Sequence, residues 1–328
     1  NFVPLFVYRE NSKIMARITI PYAVADFIDL RERGFYYVDK TDYIPKLEDY
    51  NAPVFLRPRR FGKSLLVSTL ACYYDRTKAH RFEELFGGTW IGNHPTKEHN
   101  SYMIIRYDFS KMVMADTIEG LAQNFNDLNC GPVDVMVEHN RDLFGDFQFT
   151  TRGDASKMLE EVLNYARSHE FPKVYLLIDE YDNFTNQLLT AYNDPLYEEV
   201  TTNDSFLRTF FKVIKAGIGE GSIRTCFCTG VLPVTMDDLT SGYNIAEILT
   251  LEPNFLNMLG FTYEETETYL RYVLDKYSTG QERFDEIWQL IVSNYDGYRF
   301  RPNGDRLFNA TIPVSYTHLR AHETDSYL

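Results

Sequence analysis

Arg57-Pro58-Arg59-Arg60-Phe61-Gly62-Lys63-Ser64 joins an apolar run, Pro53-Val54-Phe55-Leu56, to a helical pattern, Leu65-Leu66-Val67-Ser68-Thr69-Leu70. The reading is strand, loop, helix, with Gly62-Lys63-Ser64 at the turn into the helix. The first N–H groups of a helix have no internal acceptor and carry the positive end of its dipole, so an anion is favoured there. Lys63 adds a mobile cation for the β- and γ-phosphates of ATP, and the Ser64 hydroxyl is a candidate ligand for Mg²⁺. The candidate cofactor-binding residues are Arg57, Pro58, Arg59, Arg60, Phe61, Gly62, Lys63, Ser64 and Leu65. The general phosphate-loop pattern, G-x-x-x-x-G-K-[ST], opens on glycine. Here Arg57 stands in that place, so the loop must turn without that glycine's access to positive φ, and Pro58 is expected to supply rigidity instead. Arg57, Arg59, Arg60 and Lys63 are expected to neutralise phosphate charge; the plainer reading is a basic loop capping an ordinary helix.

A second stretch gives the loop its counterpart. Lys173-Val174-Tyr175-Leu176-Leu177-Ile178-Asp179-Glu180 is a continuous apolar run ending in two carboxylates. Such a run reads as a strand buried on both faces of a parallel sheet. Its acidic end then lies at the carboxyl edge, where open α/β sheets bind ligands. Asp179 is the second candidate Mg²⁺ ligand, opposite Ser64, and Glu180 the candidate catalytic residue that polarises an attacking water. A third run, Ile223-Arg224-Thr225-Cys226-Phe227-Cys228, ends at Thr229-Gly230, and Thr229 is a candidate sensor of the γ-phosphate or the water. The alternatives are a solvated acidic turn for the pair and a hydroxyl satisfying a strand end for Thr229.

Taken in order, these motifs resemble the bacterial AAA-ATPase-like family. The resemblance runs from about Ile20 to about Asn309. It is carried by Ile20-Pro21-Tyr22, Phe35-Tyr36-Tyr37-Val38-Asp39-Lys40-Thr41, the loop itself, Phe82-Glu83-Glu84-Leu85-Phe86, Ile178-Asp179-Glu180-Tyr181-Asp182, Thr229-Gly230-Val231-Leu232-Pro233-Val234 and Tyr295-Asp296-Gly297-Tyr298-Arg299-Phe300. A loop that opens Arg-Pro-Arg-Arg is similar to that family's own. The resemblance implies a P-loop ATPase, often joined to a C-terminal nuclease-like domain of the PD-(D/E)XK type. It also implies a lead-in beside the nucleotide, with Tyr36 or Tyr37 against adenine, although the residues themselves favour a core role for these tyrosines.

Alternating strands and helices predict an α/β fold: a three-layer parallel sheet with helices on both faces, followed by a small helical lid. Helices are expected over residues 63–75, 154–169 and 204–218. The Thr229 strand is expected between the acidic strand and the phosphate-loop strand. Asp39 or Thr41 is expected to cap a helix in the lead-in. Residues 110–153 read as polar and irregular, with weak helical signals. After residue 254 two helical stretches, 263–277 and 281–294, form the expected lid, with Arg299 and Arg301 as possible phosphate sensors or simple exposed turn residues. The expected division is a domain over 15–253 and a lid over 254–312. Residues 1–14 read as upstream sequence ahead of Met15. Residues 313–328 resemble a translated sequencing adaptor, which implies a chain cut short of any nuclease-like domain.

The chain has 328 residues, 44% hydrophobic and 15% aromatic, ample for a buried core. No apolar run approaches the roughly 20 residues that span a bilayer. Net charge is −14, so a broad basic footprint for nucleic acid is missing, although nucleic acid is not excluded as a partner. The four cysteines show neither zinc spacing nor a paired framework, and a reducing cytoplasm is the simplest setting. Cys226 and Cys228 are expected in the core on one strand face. His80, His94 and His99 are assigned no metal. The functional expectation is an ATPase. The alternatives are a nucleotide switch without turnover and phosphotransfer to a substrate; the Asp179-Glu180 pair argues for water as the acceptor. The sequence sets no oligomeric state.

Overall fold

A computed structural model of the chain describes residues 24–191, 194–201, 205–232, 243–276, 284–294, 297–302 and 304–310. The expectations for Ile20-Pro21-Tyr22, for Pro233-Val234, for Tyr295-Asp296 and for residues 1–14 and 313–328 lie outside them. The central layer is a five-stranded sheet of β1 (Pro53–Leu56), β2 (Met103–Asp108), β3 (Val174–Asp179), β4 (Ile223–Gly230) and β5 (Glu247–Ile248), in the order β2-β3-β4-β1-β5. Every pairing in it is parallel. The Thr229 strand, β4, thus inserts between the acidic strand and the phosphate-loop strand.

Side chains of a strand alternate faces, and here both faces are covered. Val54, Ile105, Leu176, Ile178, Cys226 and Cys228 belong to one buried cluster, packed beneath the helices Ile118–His139, Ala155–Ser168 and Phe206–Gly219. Phe55, Tyr175, Leu177 and Phe227 belong to the other, shared with the helix Lys63–Tyr74. That placement explains why β3 is buried at every position and why its sequence shows no alternation. Cys226 and Cys228 are free, buried thiols on the same face, Sγ to Sγ 3.7 Å.

The irregular expectation for residues 110–153 is overturned. Ile118–His139 is one helix of 22 residues, capped by the Thr117 hydroxyl on the Gly120 amide. Its buried stripe is Leu121, Phe125, Asn129, Val133, Met136 and Val137, which keeps helical spacing. Two features hide it in sequence. Asn129 sits in the stripe, fully buried, and donates its Nδ2 to the Phe125 carbonyl at 2.8 Å. Pro132 lies inside the helix, where proline normally signals an end; tertiary burial of the stripe outweighs that local cost.

The region after residue 253 is also different from the all-helical expectation. It holds the helices Tyr263–Lys276 and Phe284–Asn294 together with a three-stranded antiparallel sheet of β6 (Phe261–Thr262), β7 (Tyr298–Arg299) and β8 (Arg306–Phe308), ordered β6-β8-β7. A reciprocal cap starts the first helix: Thr262 N donates to Glu265 Oε2, and Glu265 N to Thr262 Oγ1. In the lead-in, Asp39 Oδ1 accepts from Thr41 N at 2.9 Å, but the N-cap of the short turn Thr41–Tyr43 is Lys40, which makes no side-chain cap bond, so neither Asp39 nor Thr41 is the expected cap. Among the described residues no helix is long and apolar enough to cross a membrane.

Asp154 caps the helix Ala155–Ser168 through the Lys157 amide at 3.0 Å. Asp154→Ala is expected to lower unfolding free energy by about 1 kcal/mol, read as a shifted urea midpoint with an unchanged slope.

Candidate functional site

The phosphate-loop residues close the carboxyl end of β1. Leu56 pairs with Gly230, and Arg57 N donates to the Gly230 carbonyl at 3.1 Å. The left-handed turns that the loop needs fall at Arg60, φ 70°, and Gly62, φ 92°. Position 57 is not left-handed, so the missing first glycine costs the backbone nothing there. The first helical bond runs from Leu66 N to the Gly62 carbonyl at 3.0 Å. The amides of Lys63, Ser64 and Leu65 precede it and have no intrahelical acceptor.

A cavity of about 410 Å³ opens at this helix end, within the usual range of small-molecule sites, about 300–1,000 Å³. Its lining includes Arg60, Gly62, Lys63, Ser64 and Glu180. Tyr36, Tyr37, Met258, Leu259 and Phe261 line it as well. Tyr36 also packs on Tyr272 at 4.7 Å and Tyr269 at 5.2 Å, and Tyr37 on Phe27 at 5.5 Å. The two tyrosines therefore wall the cavity and serve as packing aromatics at once. Lys40, which also lines the cavity, pairs with Glu265 at 2.5 Å, tying the lead-in to the helix Tyr263–Lys276.

Lys63 is buried, and its Nζ donates to the carbonyls of Arg57 at 2.9 Å and Pro58 at 3.2 Å. Burial pushes its ammonium down in pKa, and the carboxylates of Glu180, Asp179 and Asp182 pull it back up. Glu180 stands at positive φ, 52°, a conformation that side chains other than glycine rarely adopt. Burial raises the Glu180 carboxyl, and the Lys63 ammonium lowers it.

Asp179 and Thr229 do not line the cavity. They are buried together, and Thr229 Oγ1 donates to Asp179 Oδ1 at 2.6 Å. The hydroxyl of Thr229, the expected sensor of the γ-phosphate or the water, thus serves the Asp179 carboxylate. Arg57, Pro58 and Arg59 are likewise absent from the lining. Arg57 is 1% exposed and its guanidinium is engaged with carbonyls, whereas Arg59 and Arg60 are exposed. Arg299 lines a separate polar groove with Asp42, Glu265 and Arg306, and Arg301 is exposed. Among the described residues no group of three or more His, Cys, Asp or Glu side chains is arranged around a metal position.

One structural residue escaped the sequence reading. Asp182 Oδ2 accepts from Val231 N at 3.0 Å, Leu232 N at 2.7 Å and Asn186 Nδ2 at 2.9 Å. With Tyr181 OH on the Leu232 carbonyl at 2.9 Å, it straps the segment after β3 to the segment after β4. Its signal in sequence was its place in the family-like run Ile178–Asp182, three residues after Asp179. Gly230 lies under this strap: a Cβ there would meet Asp182 Oδ1 and the Tyr181 ring at 2.6 Å.

A five-stranded parallel sheet flanked by helices is compatible with a P-loop-like fold. A family model described as predicted AAA-ATPase matches residues 21–240, and the chain belongs to that family. It is 28% identical over 306 residues to a protein of Azotobacter chroococcum mcd 1 described as an uncharacterized protein in the vnfD 5' region. The match covers 90% of this chain and 51% of that protein, so the chain spans about half the length of this curated relative.

Two outcomes follow. Gly230→Ala is expected to destabilise by about 1–3 kcal/mol through overpacking, read in urea unfolding. Glu180→Gln is expected to change the pH dependence of stability. A carboxyl whose folded pKa is raised binds its proton more tightly in the native state, so wild-type stability falls as pH rises through the carboxylate range. The variant lacks that fall; it should be the more stable protein at neutral pH, with the difference vanishing below about pH 4. A constant difference at every pH would contradict the buried-carboxyl assignment.

Proposed function

We propose that the chain binds ATP in the cavity beside the helix Lys63–Tyr74 and hydrolyses it. The observation that supports this best is that the first helical turn with Lys63, the Glu180 carboxyl and the tyrosines Tyr36 and Tyr37 all line one cavity. The triphosphate would lie along residues 60–65, and the base against Tyr36 or Tyr37. Lys63 would exchange the Arg57 and Pro58 carbonyls for phosphate oxygens, a charge-assisted gain over neutral acceptors. Arg60, exposed at the rim, would add positive charge.

Ser64 and Asp179 offer the hydroxyl and carboxylate oxygens that suit Mg²⁺, a hard cation that keeps several waters and binds through few protein ligands. Bound there, the ion would neutralise charge on the β- and γ-phosphates. Thr229 would hold Asp179 in orientation through its hydroxyl. Glu180, raised by burial toward working pH, is the group that would orient water and accept its proton. Catalysis by this set would come from positioning and charge neutralisation. The helical and β-segment after residue 253 would act as the lid, and the resemblance keeps a nuclease-like module as the partner that the cycle would drive.

The test compares the wild-type chain with Lys63→Ala and Glu180→Gln, measuring ATP binding and phosphate release with added Mg²⁺. Lys63→Ala should lose binding. Glu180→Gln should bind normally and lose turnover by about 10²-fold or more. Equal release by all three proteins rejects hydrolysis at this site; binding by wild type with no release leaves a nucleotide switch as the function.

A further inference from the structure

The loop arginine that replaces glycine does not point at a ligand. Arg57 Nη1 donates to the carbonyls of Leu56 and Thr250, each at 3.0 Å, and Nη2 donates to the Leu256 carbonyl at 3.0 Å. The guanidinium lies over two rings, 3.9 Å from the centroid of Phe300 and 4.5 Å from that of Phe55. No carboxylate pairs with it among the bonds described. A buried cation is costly unless its donors are satisfied, and guanidinium planes favour ring faces. This one has its Nη donors on carbonyls and its plane on π-faces, with Nε buried and without a hydrogen-bond partner among the described residues, and three of those partners, Thr250, Leu256 and Phe300, lie beyond the family-matched residues 21–240.

The same residue faces the site with its backbone. The Arg57 carbonyl accepts from Lys63 Nζ at 2.9 Å. Arg57 thus grips the C-terminal segment with its side chain and the site lysine with its main chain. Further ties run alongside. Gly260 N donates to the Phe61 carbonyl at 3.1 Å, and Asn309 Nδ2 to the Arg59 carbonyl at 3.0 Å. The Phe61 ring meets Tyr298 edge-on at 5.0 Å and Phe300 at 5.8 Å. A Cβ on Gly260, φ 85°, would meet the Phe61 ring at 2.8 Å, so the approach is close and closed to larger residues.

We propose that Arg57 is a positioning residue and, with Phe300, forms a clasp through which the C-terminal segment sets the shape of the phosphate loop. This rests on the nucleotide reading of the cavity. Seating of Phe300 on the guanidinium holds the loop carbonyls where Lys63 meets them. Displacement of Phe300 releases Arg57 and alters the seat of the lysine. Coupling of this kind is reciprocal: nucleotide at the loop would stabilise the seated position of Tyr298–Phe300. The clasp predicts that Arg57→Gly, which completes the general glycine pattern, impairs the site.

Two measurements on the full chain test it. The first uses no nucleotide. Hydrogen exchange of the Gly260 amide, bonded to the Phe61 carbonyl, should quicken by about tenfold in Arg57→Gly and in Phe300→Leu, with β3 unchanged, as expected of a local opening. Unchanged exchange at Gly260 in both variants overturns the clasp. The second titrates a fluorescent ATP analogue. Arg57→Gly should weaken binding by about tenfold or more, Arg57→Lys should recover part of the loss, and the double variant with Phe300→Ala should be no worse than Arg57→Gly alone. Wild-type binding matched or exceeded by Arg57→Gly overturns the proposal. Equally poor binding by wild type and Lys63→Ala rejects instead the nucleotide reading, and the exchange result then decides the clasp. Phe300→Leu keeps apolar volume while removing the ring face, so it carries the test if the glycine variant does not fold.

Discussion

Parallel strands finish on the same edge of their sheet. Leu56 pairs with Gly230 and Ile178 with Cys228, so the segments that follow β1, β3 and β4 emerge side by side. That register brings Lys63, Glu180, Asp179 and Thr229 within reach of one another although they are far apart in the chain. A one-residue slip of β4 would turn Cys228 out of its cluster and Phe227 into it. The cross-sheet strap of Asp182 and Tyr181 on Val231 and Leu232 guards this register at the very edge where the site lies.

The site is built from groups that folding would not choose. Lys63 is buried, Glu180 has a left-handed backbone and a carboxyl raised by burial, and Arg57 carries a buried charge. Each is costly alone. Their placement beside one another offsets part of that cost: Lys63 lowers the Glu180 carboxyl, the Arg57 carbonyl takes up the Lys63 ammonium, and the carbonyls of Thr250 and Leu256 take up the Nη donors of Arg57. The rigid two-sided core beneath the sheet supplies the rest.

Parts of the fold were open to reading because their signals are local. The apolar run of β3 and the stripe of Phe206–Gly219 lie in unbroken stretches, and the Gly62-Lys63-Ser64 turn announces a helix start. Other parts were closed. Asn129 and Pro132 interrupt the stripe of Ile118–His139, and only the packing of Leu121, Phe125 and Val133 against the sheet shows that the helix persists. Strands of two or three residues, as in β6, β7 and β8, are too short to show any periodicity.

The sequence by itself determined the layered parallel sheet, the phosphate loop and the acidic strand end, since strand burial and helix-start chemistry are written in neighbouring residues. Only the tertiary structure decided the work of the arginines. A long cationic side chain can reach phosphate, carbonyl or ring, and composition does not choose among them. Arg57 meets the carbonyls of Thr250 and Leu256 and the ring of Phe300, partners almost 200 or more positions away, while Arg60 stays exposed at the cavity rim. Those distances are set by chain closure, which no local pattern encodes.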